Sequence, residues 1–185
     1  RESLPENWSI HGTVGYEFLN ALNGLFVDTE NRETFGKLYE SYIGHTIDFD
    51  ELVYNKKKFF GLVPMASEIN ALGHRLDRIS ETNRNYRDFT RNDLTVAIRE
   101  VIAGFAVYRT YVSPDSTTVS ERDEKYICAA VEKARAKTPA LNPAVYDFLK
   151  DVLLLRVKTE AGSDEANLYK DFVLRVQQLT GPIMA

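Results

Sequence analysis

The sequence predicts an all-α fold of roughly seven or eight helices with short connections, and three observations predict it. Apolar residues recur at intervals of three and four along most of the 185 residues. Cap signals, a serine, threonine or asparagine with an acid or proline just after it, precede several of these runs. No segment alternates convincingly with period two; "FAVYRTYV", Phe105 to Val112, is the only plausible strand and reads equally as an extended link between helices.

The first helical run covers about Gly15 to Leu25 within "GTVGYEFLNALNGLFVD". Its Gly12, Gly15, Asn20, Asn23 and Gly24 are unusual for a plain core helix, whereas Phe18, Leu19 and Leu22 read as ordinary core. The second run follows the polar "DTENRE" and ends near Gly44, a suitable residue to follow a helix; Phe35, Leu38, Tyr39, Tyr42 and Ile43 form its apolar stripe. Asp48 or Asp50 can cap a third helix through "ELVYNKKKFFGLV", which Pro64 must kink or replace with a new one. "MASEINALGHRLDRIS" is strongly amphipathic. Thr90 with Asp93 opens "LTVAIREVIAGFAVY", and Ser120 with Asp123 opens "EKYICAAVEKARAK". Asn142 with Pro143 opens "AVYDFLKDVLLLR", and Ser163 with two acids opens "ANLYKDFVLRVQQL", after the linker-like loop "VKTEAGSDEAN".

This length suits one domain, so residues 1–185 are expected to form a single helical unit, two small subdomains sharing an interface being the alternative. The chain opens without methionine at "RESLPENW" and stops on the apolar "QQLTGPIMA", from which a domain excised from a longer protein is expected. With 23 basic and 27 acidic residues the net charge is −4, too weak a field to favour nucleic acid or an anionic membrane. There is no signal-peptide apolar region and no 18-residue apolar run, so the cytoplasm is the expected compartment. The single cysteine, Cys128, reads as a buried inert thiol.

Chemistry is sparse. His11, His45 and His74 stand in separate contexts with no spaced partner, so no metal and no cofactor are expected. Neither a G-x-S-x-G elbow nor a glycine-rich phosphate loop is present. Asp147 and Asp151 share a helix face but read as solvated charge, and Lys56 to Lys58 read as surface. The exception is "VYRTYV": Tyr108, Arg109 and Tyr111 join two phenols and a guanidinium, which suits a sugar's flat face and hydroxyls and suits equally an aromatic core with a buried arginine.

Four blocks carry a family resemblance. "WSIHGTVGYEFLNALNGLFVD" (Trp8 to Asp28) resembles a signature of maltooligosyl trehalose synthases, members of the α-amylase-like glycoside hydrolase superfamily, matching at Trp8, Gly12, Thr13, Gly15, Tyr16, Phe18, Leu19 and Asn20. "RDFT" (Arg87 to Thr90), "VYRTYV" and "QQLTGPIMA" (Gln177 to Ala185) are similar to further blocks in the same order, so the likeness spans nearly the whole chain; it departs at Val14, where threonine is common, and at Glu17, where aspartate is common.

The resemblance implies a helical insertion between late strands of a catalytic (β/α)8 barrel. The parent would convert the reducing-end α-1,4 bond of a maltooligosaccharide into an α,α-1,1 bond by retaining-glycosidase chemistry, with water kept out while the released glucose turns over. The family's three catalytic carboxylates lie upstream of the first block and downstream of the last, so no catalytic residue is expected here and the isolated fragment should be inactive. The implied partners are the maltooligosaccharide and the barrel of the same chain, with a dimer through the barrel-facing surface as a further expectation. Tyr16, Tyr108, Arg109, Tyr111 and Gln177 are the residues expected nearest glucan. The competing reading is a helical interaction module with no sugar contact, burying "FLNALNGLFV" and "QQLTGPIMA" against a partner.

Overall fold

In "TRNDLTVAIREVIAGF" apolar and small residues occupy nearly every face, and the result is a helix buried almost all round. The computed structural model describes residues 9, 11, 15–113, 115–157 and 163–184. Trp8, Gly12, Thr13 and Val14 of the first motif, residues 158–162 of the last loop and Ala185 lie outside them. The chain divides into two compact units, residues 1–49 and 50–185.

The first unit holds α1 (Tyr16–Gly24), a 3-10 turn (Thr29–Asn31) and α2 (Arg32–Ile43). Asp28 starts the turn, accepting from the Glu30 amide at 3.0 Å and from Asn31 Nδ2 at 2.7 Å. Gly44 ends α2 with φ of 78°, the left-handed conformation that glycine adopts at no steric cost. The expected core of this region is not a core. Phe18, Leu19 and Leu22, and the stripe of Phe35, Leu38, Tyr39 and Tyr42, are all exposed, Tyr42 to 89 %. Two short helices present too little facing surface to bury large side chains against each other.

The second unit contains α3 (Phe49–Leu62) apart from its first residue, α4 (Ala66–Thr82), α5 (Arg91–Gly104), α6 (Glu121–Lys137), α7 (Pro143–Leu153) and α8 (Asp164–Met184). Eight α-helices and no strand are thus present among the described residues, as the spacing predicts. α5 is central, with α4, α6, α7 and α8 around it. Leu94, Ala97, Ile98 and Val101 of α5 meet Leu76, Ile79, Val131, Phe148, Leu149 and Phe172 in one continuous core. The caps act as expected: Thr90 Oγ1 accepts from the Asp93 amide (3.1 Å), Ser120 Oγ from that of Asp123 (3.2 Å) and Asn142 Oδ1 from that of Ala144 (3.0 Å).

Three expectations need correction. Lys57 is buried within "KKK" and donates to the Phe105 carbonyl oxygen at 2.7 Å, while Lys58 pairs with buried Glu100 at 2.7 Å. Cys128 is only partly buried, at the margin of the core. α7 stops at Leu153 rather than running on to Arg156, because Leu155 turns left-handed with φ of 54° and the Arg156 amide returns to the Asp151 carbonyl at 2.9 Å. Asp147 is a solvated pair as expected, 2.5 Å from Arg135, and His74 is on an exposed face.

Candidate functional site

The site is built on the link between α5 and α6. α5 ends at Gly104, where a side chain's first carbon would lie 2.7 Å from the Ala130 carbonyl oxygen, so only glycine allows α5 and α6 to approach this closely. The chain leaves the helix extended at Phe105 and bends at Val107 and Tyr108. Phe105, Val107, Thr110 and Val112 are buried, and between them Tyr108, Arg109 and Tyr111 face outward to differing degrees, Tyr108 being 44 % exposed. This is the segment that reads as strand or link; it is a link, bent at Val107 and Tyr108, with no strand beside it among the described residues.

Its partners come from the flanking helices. Gln177, 4 % exposed, accepts at Oε1 from the Val112 amide (3.0 Å) and from Thr110 Oγ1 (3.2 Å), and donates through Nε2 to the Val112 carbonyl (2.9 Å). Asp123, 3 % exposed, accepts at Oδ2 from the Tyr111 amide (2.9 Å), and its Oδ1 lies 3.3 Å from Arg122 Nη1. The Arg109 guanidinium carbon stands 5.2 Å from the Tyr111 ring centre and that of Arg122 stands 5.7 Å from it, so two cations share one aromatic ring. Arg109 Nη1 also reaches Gln178 Oε1 at 3.3 Å. A side chain at Gly181 would meet the Tyr108 phenol at 3.0 Å, so the glycine of "TGP" makes room for that ring against α8.

A groove of about 370 Å³ between α4 and α8 adjoins this patch through Gln178 and Pro182. Met65, Leu72 and Leu179 form its floor, and Arg75 and Arg175 stand at it, both bonded to Asp171. The Arg175 hydrogen bond, aided by Arg75 and opposed by partial burial, holds the Asp171 carboxyl below the usual carboxylate range.

Of the residues the sequence points to, Tyr108, Arg109, Tyr111 and Gln177 come together around one extended segment. Tyr16 begins α1 in the other unit, and its side chain lies outside the described residues. Gln177 differs in kind from the others, because its amide is buried and bonded to the segment itself. Sequence reasoning misses Arg122 and Asp123, whose visible signal is only a helix-capping pattern, and Gly181, visible only as part of "TGP". Among the described residues no group of three or more histidine, cysteine, aspartate or glutamate side chains could hold a metal ion. The arrangement offers an aromatic and cationic surface with amide and phenol groups at its edge, able to stack on a flat face and to donate hydrogen bonds.

No family model matches the chain, and no curated protein matches it. A solved structure of maltooligosyltrehalose synthase from Arthrobacter ramosus does match, with a TM-score of 0.73 and 26 % identity over 100 % of this chain. The chain resembles a segment of maltooligosyltrehalose synthase in fold. A structure of a mutant of the same Arthrobacter ramosus enzyme matches equally, with a TM-score of 0.72 and 26 % identity over 100 % of this chain. The chain spans about a fifth of the length of those synthase chains, since it covers 20 % of each. No described helix is long and apolar enough to cross a membrane.

Proposed function

We propose that this chain is the cleft-building helical domain of a cytoplasmic enzyme that converts the reducing-end α-1,4 bond of maltooligosaccharides into an α,α-1,1 bond, and that Tyr108, Arg109 and Tyr111 are its glucan-contacting residues. The observation that carries the reading is the match along the entire chain to a segment of maltooligosyltrehalose synthase, joined to four sequence blocks in the family's order. The catalytic carboxylates belong to the rest of the parent enzyme, a retaining glucosyl-transferring isomerase, and the 185-residue chain alone turns nothing over. Gln177 serves the site from behind the segment, and Tyr16 is kept as a glucan contact on the strength of its motif.

One observation favours covering by another surface as well. Phe18, Phe26, Phe35 and Tyr42 are exposed to between 64 % and 89 %, more aromatic area than an independent surface usually carries. In the favoured reading the catalytic barrel covers it; in the second reading the chain is an interaction module, or a dimer, that touches no sugar.

Titration with maltopentaose, following backbone amide shifts and assaying reducing ends in the same tube, tests the proposal. Saturable shifts centred on residues 108–111 with reducing ends unchanged are expected. An absence of shifts at millimolar sugar would remove the glucan role from this chain, and loss of reducing ends would overturn its lack of catalysis.

A further inference from the structure

We infer that Asp123 and Gln177 are positioning residues that together replace the partner strand this extended segment lacks, fixing where Tyr108, Arg109 and Tyr111 stand; the inference rests on the glucan reading of that segment. An extended backbone presents amide and carbonyl groups that must find partners when buried. In a sheet a neighbouring strand supplies them, and none is present among the described residues. Here Gln177 does so from α8: its primary amide gives one hydrogen bond to Val112 and takes one from it, at 2.9 and 3.0 Å, the reciprocal pattern of a hydrogen-bonded antiparallel pair. Asp123 does so from α6, its carboxylate taking the Tyr111 amide at 2.9 Å.

The two grips complement each other. Asp123 lies in the first turn of α6, and its own amide is held by Ser120, so its carboxylate projects from a fixed base. That carboxylate also engages Arg122, whose guanidinium carbon is 5.7 Å from the Tyr111 ring centre and 5.4 Å from that of Tyr126. One side chain therefore sets both the backbone of Tyr111 and a cation resting on its ring. Gln177 holds the next residue and, through Thr110, the one before. The two are 3 % and 4 % exposed, too buried to touch a sugar themselves, so they act through the residues they hold.

The test combines amide hydrogen exchange with maltopentaose binding on the 185-residue chain, using Asp123→Ala, Asp123→Asn and Gln177→Met. Asp123→Ala is expected to speed exchange at the Tyr111 amide by about ten-fold or more, the size of one lost charge-assisted hydrogen bond, and Gln177→Met to do the same at Val112. Exchange at Leu76 and Leu149, deep in the helical core, stays as in the parent chain. Maltopentaose binding weakens about ten-fold in both variants, and Asp123→Asn, which keeps a carbonyl acceptor for Tyr111 but loses the charge and the pairing to Arg122, restores exchange and binding in part, to within about five-fold. Unchanged exchange at residues 111 and 112, binding as in the parent chain, or failure of the folded asparagine variant to restore either would overturn the inference. If the exchange pattern appears as expected but the parent chain takes up no maltopentaose, the glucan reading fails while the positioning of the segment stands.

Discussion

Lys57 Nζ lies 2.7 Å from the carbonyl oxygen of Phe105 and donates to it, tying the buried face of α3 to the C-terminus of α5. The last carbonyls of a helix lack partners within it, and a cation there meets the negative end of the helix dipole. Burial, reinforced by the nearby charge of Lys133, pushes the Lys57 ammonium below the usual lysine value. Lys57→Met should therefore cost about 1–3 kcal/mol at neutral pH by leaving the Phe105 carbonyl unpaired, read as a lower urea midpoint. For a depressed lysine the unfolded chain binds more protons between the folded value and about 10.4, so this group's share of stability rises with pH in that window; the variant should show a shallower rise.

Tyr54 and Glu100 give the opposite dependence. The Tyr54 hydroxyl donates to Glu100 Oε2 at 2.5 Å, and burial, with that hydrogen bond, pushes the phenol well above the ordinary tyrosine value. A raised group contributes stability that is full below about pH 10 and is lost as pH climbs past it, because the unfolded chain ionises first. Tyr54→Phe should lose about 1–3 kcal/mol at pH 7 and lose less than the parent chain between pH 10 and 11, checked by urea melts across that range.

At acid pH Asp171 matters. Its carboxyl is held low by Arg175, against partial burial and with help from Arg75. A depressed carboxylate stabilises above about pH 4 and ceases to do so as pH falls through its folded value. Asp171→Asn should flatten the loss of stability below pH 4, and added salt should shrink the difference between the two chains, since the pair is partly exposed.

Two glycine substitutions should separate packing from site geometry. Gly104→Ala presses its new carbon onto the Ala130 backbone, which can yield only by parting α5 from α6, and should cost about 1–3 kcal/mol. Gly181→Ala presses instead on the far end of the Tyr108 side chain, which is 44 % exposed and can give by a few tenths of an ångström where backbone cannot. Its thermal midpoint should stay level or rise, since alanine favours helix by about 1 kcal/mol over glycine, while the Tyr108 ring resonances shift and maltopentaose binding weakens.

Local chemistry was legible and tertiary choices were not. Thr90, Ser120, Asn142 and Gly44 announce helix boundaries because a cap is settled within three residues. Leu155 could not be foreseen: a leucine in the left-handed region persists because the structure around it imposes it. The burial of Lys57, but not of Phe18 or Tyr42, depends on which surfaces meet, and helical spacing alone names an apolar stripe without saying what lies opposite. In the site, Tyr108, Arg109 and Tyr111 stood out because they are adjacent in sequence. Gln177 was visible as a motif member, yet its task depends on a contact 65 residues away in the chain. Asp123 carried two roles under one signature, its amide capping α6 while its carboxylate turns to Tyr111.

The bonds that fix residues 110–112 reach forward in the chain, by 12 positions to Asp123 and by 65 and 67 to Gln177. The 12-residue closure to Asp123 is local, whereas the closures to Gln177 carry a larger entropy cost, so the Gln177 grip is expected to form only once α8 has docked. On a ribosome, a nascent chain that already holds α4 to α7 would still lack the Gln177 grip on the edge proposed to face sugar, and completion of that edge would mark the final step of maturation rather than an early one.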